Sequence, residues 1–186
     1  MRLFAMLTAK CLVGVCALGA YASHSIGAEV QLDEVPEMSW EALIPKDWNP
    51  WAPLEDLTDD EIGLLADDSP ESAALYEDLQ ASLKVAPVVD ELDGEIIRLP
   101  GYLLPLEYDE TSVTQFLLVP YFGACIHVPP PPANQIVFVK SEEPVEISGM
   151  FDAVWVTGEI RTVSVSSELA EAGYTMEAIR VDPYEY

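Results

Sequence analysis

Residues 96–106, with the sequence Ile-Ile-Arg-Leu-Pro-Gly-Tyr-Leu-Leu-Pro-Leu, decide the fold of this chain. The stretch is rich in the residue types that favour strands, and Pro100-Gly101 interrupts it near the middle. A glycine allows a strand to bend, so that one long strand can belong to both halves of a closed sheet. The stretch therefore predicts the first strand of a small barrel.

Four further β-prone runs follow, separated by turn residues. They cover residues 113–121, 135–139, 153–163 and 176–181. Residues 167–172, just before Gly173, are predicted to form a short helical piece. Five strands, a long bent first strand and a helix before the closing strand predict a mainly β protein, in which residues 91–186 form a small OB-like five-stranded barrel. A general β-sandwich is the alternative.

Residues 29–90 have a different composition, with 17 acidic and 2 basic side chains. Helix start and stop signals divide this stretch into three helical segments. These are a short turn over residues 40–43 after Ser39, a helix from the capping box at Thr58 to about residue 66, and a helix that begins at Pro70 and stops before Pro87. The stretch is predicted to be an acidic helical arm attached to the barrel.

Two sets of apolar residues in the arm are predicted to face inward. Tyr76, Leu79 and Leu83 recur at helical spacing. The second set consists of large aromatic residues interleaved with prolines, namely Trp40, Trp48 and Trp51. Because large aromatic side chains bury the most area, the tryptophans are expected to pin the arm onto the barrel.

Residues 1–22 have the layout of a secretory signal peptide. Arg2 and Lys10 precede an apolar run over residues 11–20, which is too short to span a bilayer, and small residues follow it. Cleavage after Ala22 or after Ala28 fits the pattern. No later stretch is apolar enough for a span, so the mature protein is expected to have none.

The charge of the chain excludes one large class of functions. With 8 basic and 33 acidic side chains, its formal net charge is −25. Such a chain repels phosphate backbones, so the sequence predicts no nucleic-acid binding, even though OB-like barrels often bind nucleic acids. Cation handling and a basic protein partner remain open.

Cys125 and His127 are the candidate site. Loss of the signal peptide leaves Cys125 as the only cysteine, two residues before His127. In an extended segment these side chains point to the same side, and a thiolate with an imidazole is a ligand pair for zinc or copper. Two ligands do not complete a site. Candidates for the rest are Glu107 or Asp152, a second subunit, and for copper Met150 or Met176.

Two other interpretations of this pair stay open. Free cysteines are among the most buried residues, so both side chains can be purely structural. Alternatively, Cys125 is a catalytic nucleophile, but that role needs an orienting third group and an oxyanion pocket that no motif marks. The sequence also has no P-loop, dinucleotide fingerprint or nucleophile elbow. The protein is therefore predicted not to be an enzyme.

The motif G-A-C-I-H-V-P-P-P-P-x-N-Q over residues 123–135 resembles an exported family of unknown function from Gram-negative bacteria. The likeness extends over residues 38–183. It implies a periplasmic protein, genes beside ABC transporter components, a link to zinc-responsive operons, and Cys125 and His127 as metal ligands. The combined prediction is an exported accessory protein of a transport system that binds a protein partner in the envelope, with zinc as the candidate cofactor. A non-catalytic interaction module with a structural Cys-x-His-Pro block is the rival, and a thiol-dependent enzyme comes third.

Overall fold

The computed structural model describes residues 32–49, 55, 57–58, 63, 70–106, 111–125 and 130–185. The predicted signal peptide over residues 1–22 and most of the helix predicted from Thr58 lie outside these residues. The described helices are the 3-10 helices Leu32–Glu34, Trp40–Leu43, Asp90–Leu92 and Ala133–Gln135 and the α-helix α1, Pro70–Lys84. None of the helices in this part of the chain has the length and apolarity needed to cross a membrane.

Five strands close into a barrel in the order β1-β2-β3-β7-β4. The strands are β1 (Ile96–Pro105), β2 (Ser112–Val119), β3 (Val137–Glu146), β4 (Asp152–Arg161) and β7 (Tyr174–Pro183), and β5 (Val165–Ser166) and β6 (Glu171–Ala172) form a separate small hairpin. All pairs in the barrel are antiparallel except β3 with β7, which is parallel. The closed five-stranded barrel confirms the predicted mainly β, OB-like fold.

Strand β1 pairs with two neighbouring strands, as the sequence predicts. Residues 96–103 pair with β4 and residues 102–105 pair with β2. At Gly101 a Cβ atom would lie 2.8 Å from Leu118 Cγ and 2.9 Å from the Val119 carbonyl oxygen. Only glycine therefore allows β1 to approach β2 this closely while it crosses between the two halves of the sheet.

Strand β2 is apolar without alternation because both of its faces are covered. Its residues 116–119 are all fully buried. Phe116 and Leu118 belong to an inner cluster that fills the barrel, while Leu117 and Val119 belong to an outer cluster on the opposite face. A strand that is buried on both faces is expected to be a continuous apolar run. The outer cluster also includes Ala124, Ile136, Phe138, Phe151 and Ala172.

The predicted helical piece over residues 167–172 is wrong. The chain there turns between β5 and β6, and this hairpin packs on the outer cluster. Ser167 closes the turn, because its Oγ donates to the Ala170 carbonyl oxygen at 2.8 Å and accepts from the Ala170 amide at 3.1 Å. Six residues are also too few for a helix to be stable without strong packing.

Among the five strands of the barrel, β3 differs most from its predicted bounds. It is predicted over residues 135–139 but runs from Val137 to Glu146. Its second half is acidic and contains Pro144, so its composition resembles that of a loop. Proline is tolerated in a strand that lies at an edge. The residues nevertheless continue the strand because Val145 and Glu146 pair with β2.

Two of the three helical segments predicted in the arm lie in the described residues, and both begin where the sequence predicts. Helix α1 begins at Pro70, and residues 40–43 form a 3-10 helix after Ser39, although the Ser39 side chain makes no capping hydrogen bond. The predicted inward stripe is wrong at Tyr76, whose side chain is 47% exposed. Leu79 and Leu83 are only partly buried. Helical spacing identifies an apolar face but not whether another element covers it.

Candidate functional site

The end of the motif holds the arm on the barrel. Ala133, Asn134 and Gln135 form a 3-10 helix before β3. The side-chain amide of Asn134 donates to the Pro87 carbonyl oxygen at 2.8 Å, and that of Gln135 donates to the Trp40 carbonyl oxygen at 2.9 Å. Two neighbouring side chains thus tie two separate parts of the arm to one point beside β3.

Tyr174, at the start of β7, completes this attachment. Its side chain is fully buried, its hydroxyl donates to the Leu43 carbonyl oxygen at 2.8 Å, and it accepts from the Val89 amide at 2.6 Å. Burial raises the pKa of Tyr174 above its usual range. The predicted pinning by tryptophan is confirmed for Trp40, whose Nε1 donates to the Pro100 carbonyl oxygen at 2.7 Å. The sequence analysis did not identify Tyr174 as part of this attachment.

Cys125 lies in the turn that follows β2. Its φ of +67° lies in the left-handed region, where non-glycine residues are uncommon. Its side chain is partly buried against the outer cluster. This burial raises the pKa of Cys125 from 9.0 to about 11. The pKa of Tyr121 is also raised, first by its own burial and then by the negative charge that Cys125 would carry. At neutral pH Cys125 is therefore a protonated thiol.

The structure tests only part of the predicted metal site. His127 and Glu107 lie outside the described residues, so the Cys125–His127 pair stays a prediction. Met176 is fully buried in the inner cluster, whereas Cys125 packs on the outer one, so the prediction that Met176 joins Cys125 at a copper site is wrong. Asp152 accepts a hydrogen bond of 2.6 Å from the Ser148 amide.

A search of the described ranges finds no group of three or more His, Cys, Asp and Glu side chains arranged to hold a metal ion. Met150, the other methionine predicted as a copper ligand, is 44% exposed and directly precedes Phe151 of the outer cluster.

An exposed aromatic side chain accompanies the turn at Cys125. Phe122 is 64% exposed, yet its ring lies 5.0 Å from the ring of Phe151 and 6.0 Å from that of Tyr102, the latter in an edge-to-face arrangement. These contacts fix the turn against the outer face of the barrel.

The described residues line an acidic groove of about 1060 Å³. It is lined chiefly by the second halves of β3 and β7 and the start of β4. Arg180 is the one cation among its described lining residues. The carboxylates that line it are those of Glu142, Glu143, Glu146, Asp152, Glu159, Glu177 and Asp182.

Several of these carboxylates form ion pairs with cations in the described part of the chain. Asp182 lies 2.9 Å from Arg180 Nε, and Glu177 lies 3.9 Å from Lys140 Nζ. Within the part of the chain that the structure describes, no cation is within ion-pair distance of the β3 carboxylates, those of residues 142, 143 and 146. The groove therefore has an uncompensated negative wall along β3.

The groove follows a seam where two strands separate. The parallel pairing of β3 with β7 ends at Ser141 and Ala178. Beyond it, β3 residues 142–146 and β7 residues 179–183 have no ladder with each other. Ile179 is the extra residue of a β-bulge in the ladder with β4, and its side chain is 49% exposed. Bulges of this kind often redirect a strand beside a binding site.

The register of β7 shows which backbone groups face the seam. The Tyr184 amide donates to the Ala153 carbonyl oxygen at 2.9 Å. Hydrogen-bonding direction alternates along an antiparallel pair, so the backbone groups of Asp182 point to β4 and those of Val181 point to the seam. The Val181 amide and carbonyl are thus directed toward the open side of the barrel.

Comparisons with known proteins identify relatives but no activity. The family model described as "Protein of unknown function (DUF3299)" matches residues 40–183. A crystal structure of a DUF3299 family protein from Pseudomonas aeruginosa PAO1 is 43% identical and superimposes with a TM-score of 0.61 over 82% of this chain and 97% of that chain. No curated protein matches the sequence. The predicted resemblance to a family of unknown function is confirmed, and the link to transporter genes stays a prediction.

Proposed function

We propose that this chain, which belongs to the DUF3299 family of unknown function, is an exported, non-catalytic accessory protein of a transport system. It acts in the periplasm by binding a protein partner. The observation that carries this proposal is the acidic groove along the seam between β3 and β7. A rigid barrel with a charged, open strand edge is suited to holding another protein segment.

Two observations support a binding role over an enzymatic one. The thiol of Cys125 has a pKa of about 11, so very little of it is the nucleophilic thiolate at neutral pH. The end of the motif, at Asn134 and Gln135, uses its side-chain amides to bind backbone carbonyls of the arm. The motif residues that the structure describes therefore stabilise the fold, and this supports the interaction module with a structural Cys-x-His-Pro block.

Site-specific photo-crosslinking in living cells tests the proposal. A photoreactive amino acid at Ile179, in the groove, is compared with the same amino acid at Glu168, which is exposed outside the groove lining. We expect one discrete adduct from position 179 in the periplasmic fraction, with a transport component identified in it by mass spectrometry. Retention of the protein in the cytoplasm, or equal labelling from both positions, contradicts the proposal.

Zinc binding at Cys125 and His127 is the second candidate function. It is favoured by the position of Cys125 in the turn after β2, where the thiol stays partly accessible. Zinc would have to displace the thiol proton, and a tetrahedral site would require two further ligands. A second copy of the chain supplies them if the same pair is contributed twice.

A further inference from the structure

We propose that the groove binds an extended, lysine- or arginine-rich segment of the partner, which adds as a strand to the exposed edge of β7. This inference rests on the proposed function and specifies the chemistry of the partner. It depends on the unpaired backbone at the seam, and the charge of the groove selects the occupant.

The backbone of β7 offers hydrogen bonds to an added strand. Beyond Ala178 its ladder with β3 has ended, and the Val181 amide and carbonyl are directed to the seam by the register with β4. The adjacent part of β3 is a poorer template. Pro144 has no amide to donate, and the Glu143 carbonyl oxygen already accepts from Ser141 Oγ at 2.7 Å. An incoming segment therefore pairs with β7.

The side chains around the seam determine which segment fits. Ile179, Val181 and Pro183 give the groove apolar surface along β7. The glutamates at positions 142, 143 and 146 line the groove along β3, and no cation of the described residues lies within ion-pair distance of them. A strand that alternates apolar and cationic residues matches both features, because successive side chains of a strand point to opposite faces. An acidic or polyanionic segment would be repelled.

Peptide binding to the purified protein tests this inference. The probe is a synthetic peptide of alternating lysine and valine, about six residues long, which is the commonest length of a strand. Two matched peptides serve as controls: one has glutamate in place of lysine, and the other keeps lysine but carries N-methyl groups on alternate backbone nitrogens. We expect the first probe to bind, the acidic peptide not to bind, and N-methylation to weaken binding by about tenfold or more, because it removes ladder hydrogen bonds.

A matched pair of charge variants tests the wall. The triple variant Glu142→Gln, Glu143→Gln, Glu146→Gln is expected to bind the lysine peptide about tenfold more weakly at low salt, as three rim charges would predict. The control variant Glu77→Gln, Asp78→Asn, Glu168→Gln removes the same charge from exposed positions outside the groove lining and should bind like the wild type. Equal weakening in both variants would show that only net charge matters and would overturn the inference.

Hydrogen exchange locates the added strand. The Val181 amide should become protected when the lysine peptide binds, whereas the Asp182 amide is already protected by β4. Binding without protection of Val181, or equally tight binding of the N-methylated peptide, overturns strand addition. If position 179 crosslinks a transport component but no peptide binds, this inference fails and the proposed function stands. If the peptide binds but no partner is crosslinked in cells, the proposed function fails instead.

Discussion

The substitution Tyr174→Phe removes one hydroxyl group and keeps the ring. The hydroxyl bonds Leu43 at 2.8 Å and Val89 at 2.6 Å, and it is the point where two parts of the arm meet the barrel. The ring still fills the inner cluster, so no cavity forms. The cost is that of leaving a fully buried carbonyl at Leu43 and a partly buried amide at Val89 without partners. At about 1–3 kcal/mol for each buried group, the free energy of unfolding should fall by about 3 kcal/mol.

Urea unfolding measures this loss. For a domain of this size the dependence of the unfolding free energy on urea is about 2 kcal/mol per molar, so the midpoint should fall by about 1.5 M with little change in slope. Tyr76→Phe is the matched control, because the Tyr76 side chain is 47% exposed; it should change stability by less than about 0.5 kcal/mol. Amide exchange at Val89 should accelerate in Tyr174→Phe. A loss below about 0.5 kcal/mol, or an unchanged Val89 amide, would refute the attachment through Tyr174.

Three further predictions concern the turn at Cys125 and the bend in β1. Burial raises the pKa of Cys125 from 9.0 to about 11. In protein without residues 1–28, Cys125 should therefore react with iodoacetamide at pH 8 about a hundredfold more slowly in the folded than in the unfolded state. Equal rates in the two states would contradict this burial. If Cys125 and His127 bind zinc, a zinc titration should raise the melting temperature of the wild type but not of the double alanine variant, and the effect should weaken as pH falls because both ligands gain protons. Identical melting of the two proteins would end the zinc hypothesis. Gly101→Ala should cost about 2 kcal/mol in urea unfolding through overpacking against β2, whereas Gly149→Ala, with no atom within 4 Å of the added Cβ, should be nearly neutral.

The parts of the fold that depend on local patterns could be predicted from the sequence. The passage of β1 from β4 to β2 near Gly101 and the start of α1 at Pro70 follow from the small size of glycine and the fixed φ of proline. The attachment through Tyr174 could not be predicted in this way, because its hydroxyl joins residues that are 85 and 131 positions away. A tyrosine in a β-prone run has the same local pattern whether its hydroxyl reaches solvent or a distant carbonyl.

The acidic groove escaped the sequence analysis for a related reason. Glu142 and Asp182 are far apart in the chain, and each lies in a stretch whose composition resembles that of a solvated surface. They line one groove because β3 and β7 run side by side in parallel and then separate. Parallel neighbours are joined by long crossover connections, so acids on two such strands come together only when the topology is known. The Cys125 motif was found from sequence because its members are adjacent.

The charges at the seam also explain how an exposed strand edge can persist in this protein. An unpaired edge is a template for pairing with another chain, and natural proteins protect such edges with charged residues and proline. Here Pro144 interrupts the β3 side, and carboxylates line the groove beside β7. A second copy of this chain, with its net charge of −25, is repelled from the seam at moderate ionic strength. The same carboxylates attract a cationic strand, so the charge that opposes pairing of two copies at this seam also favours a cationic partner there.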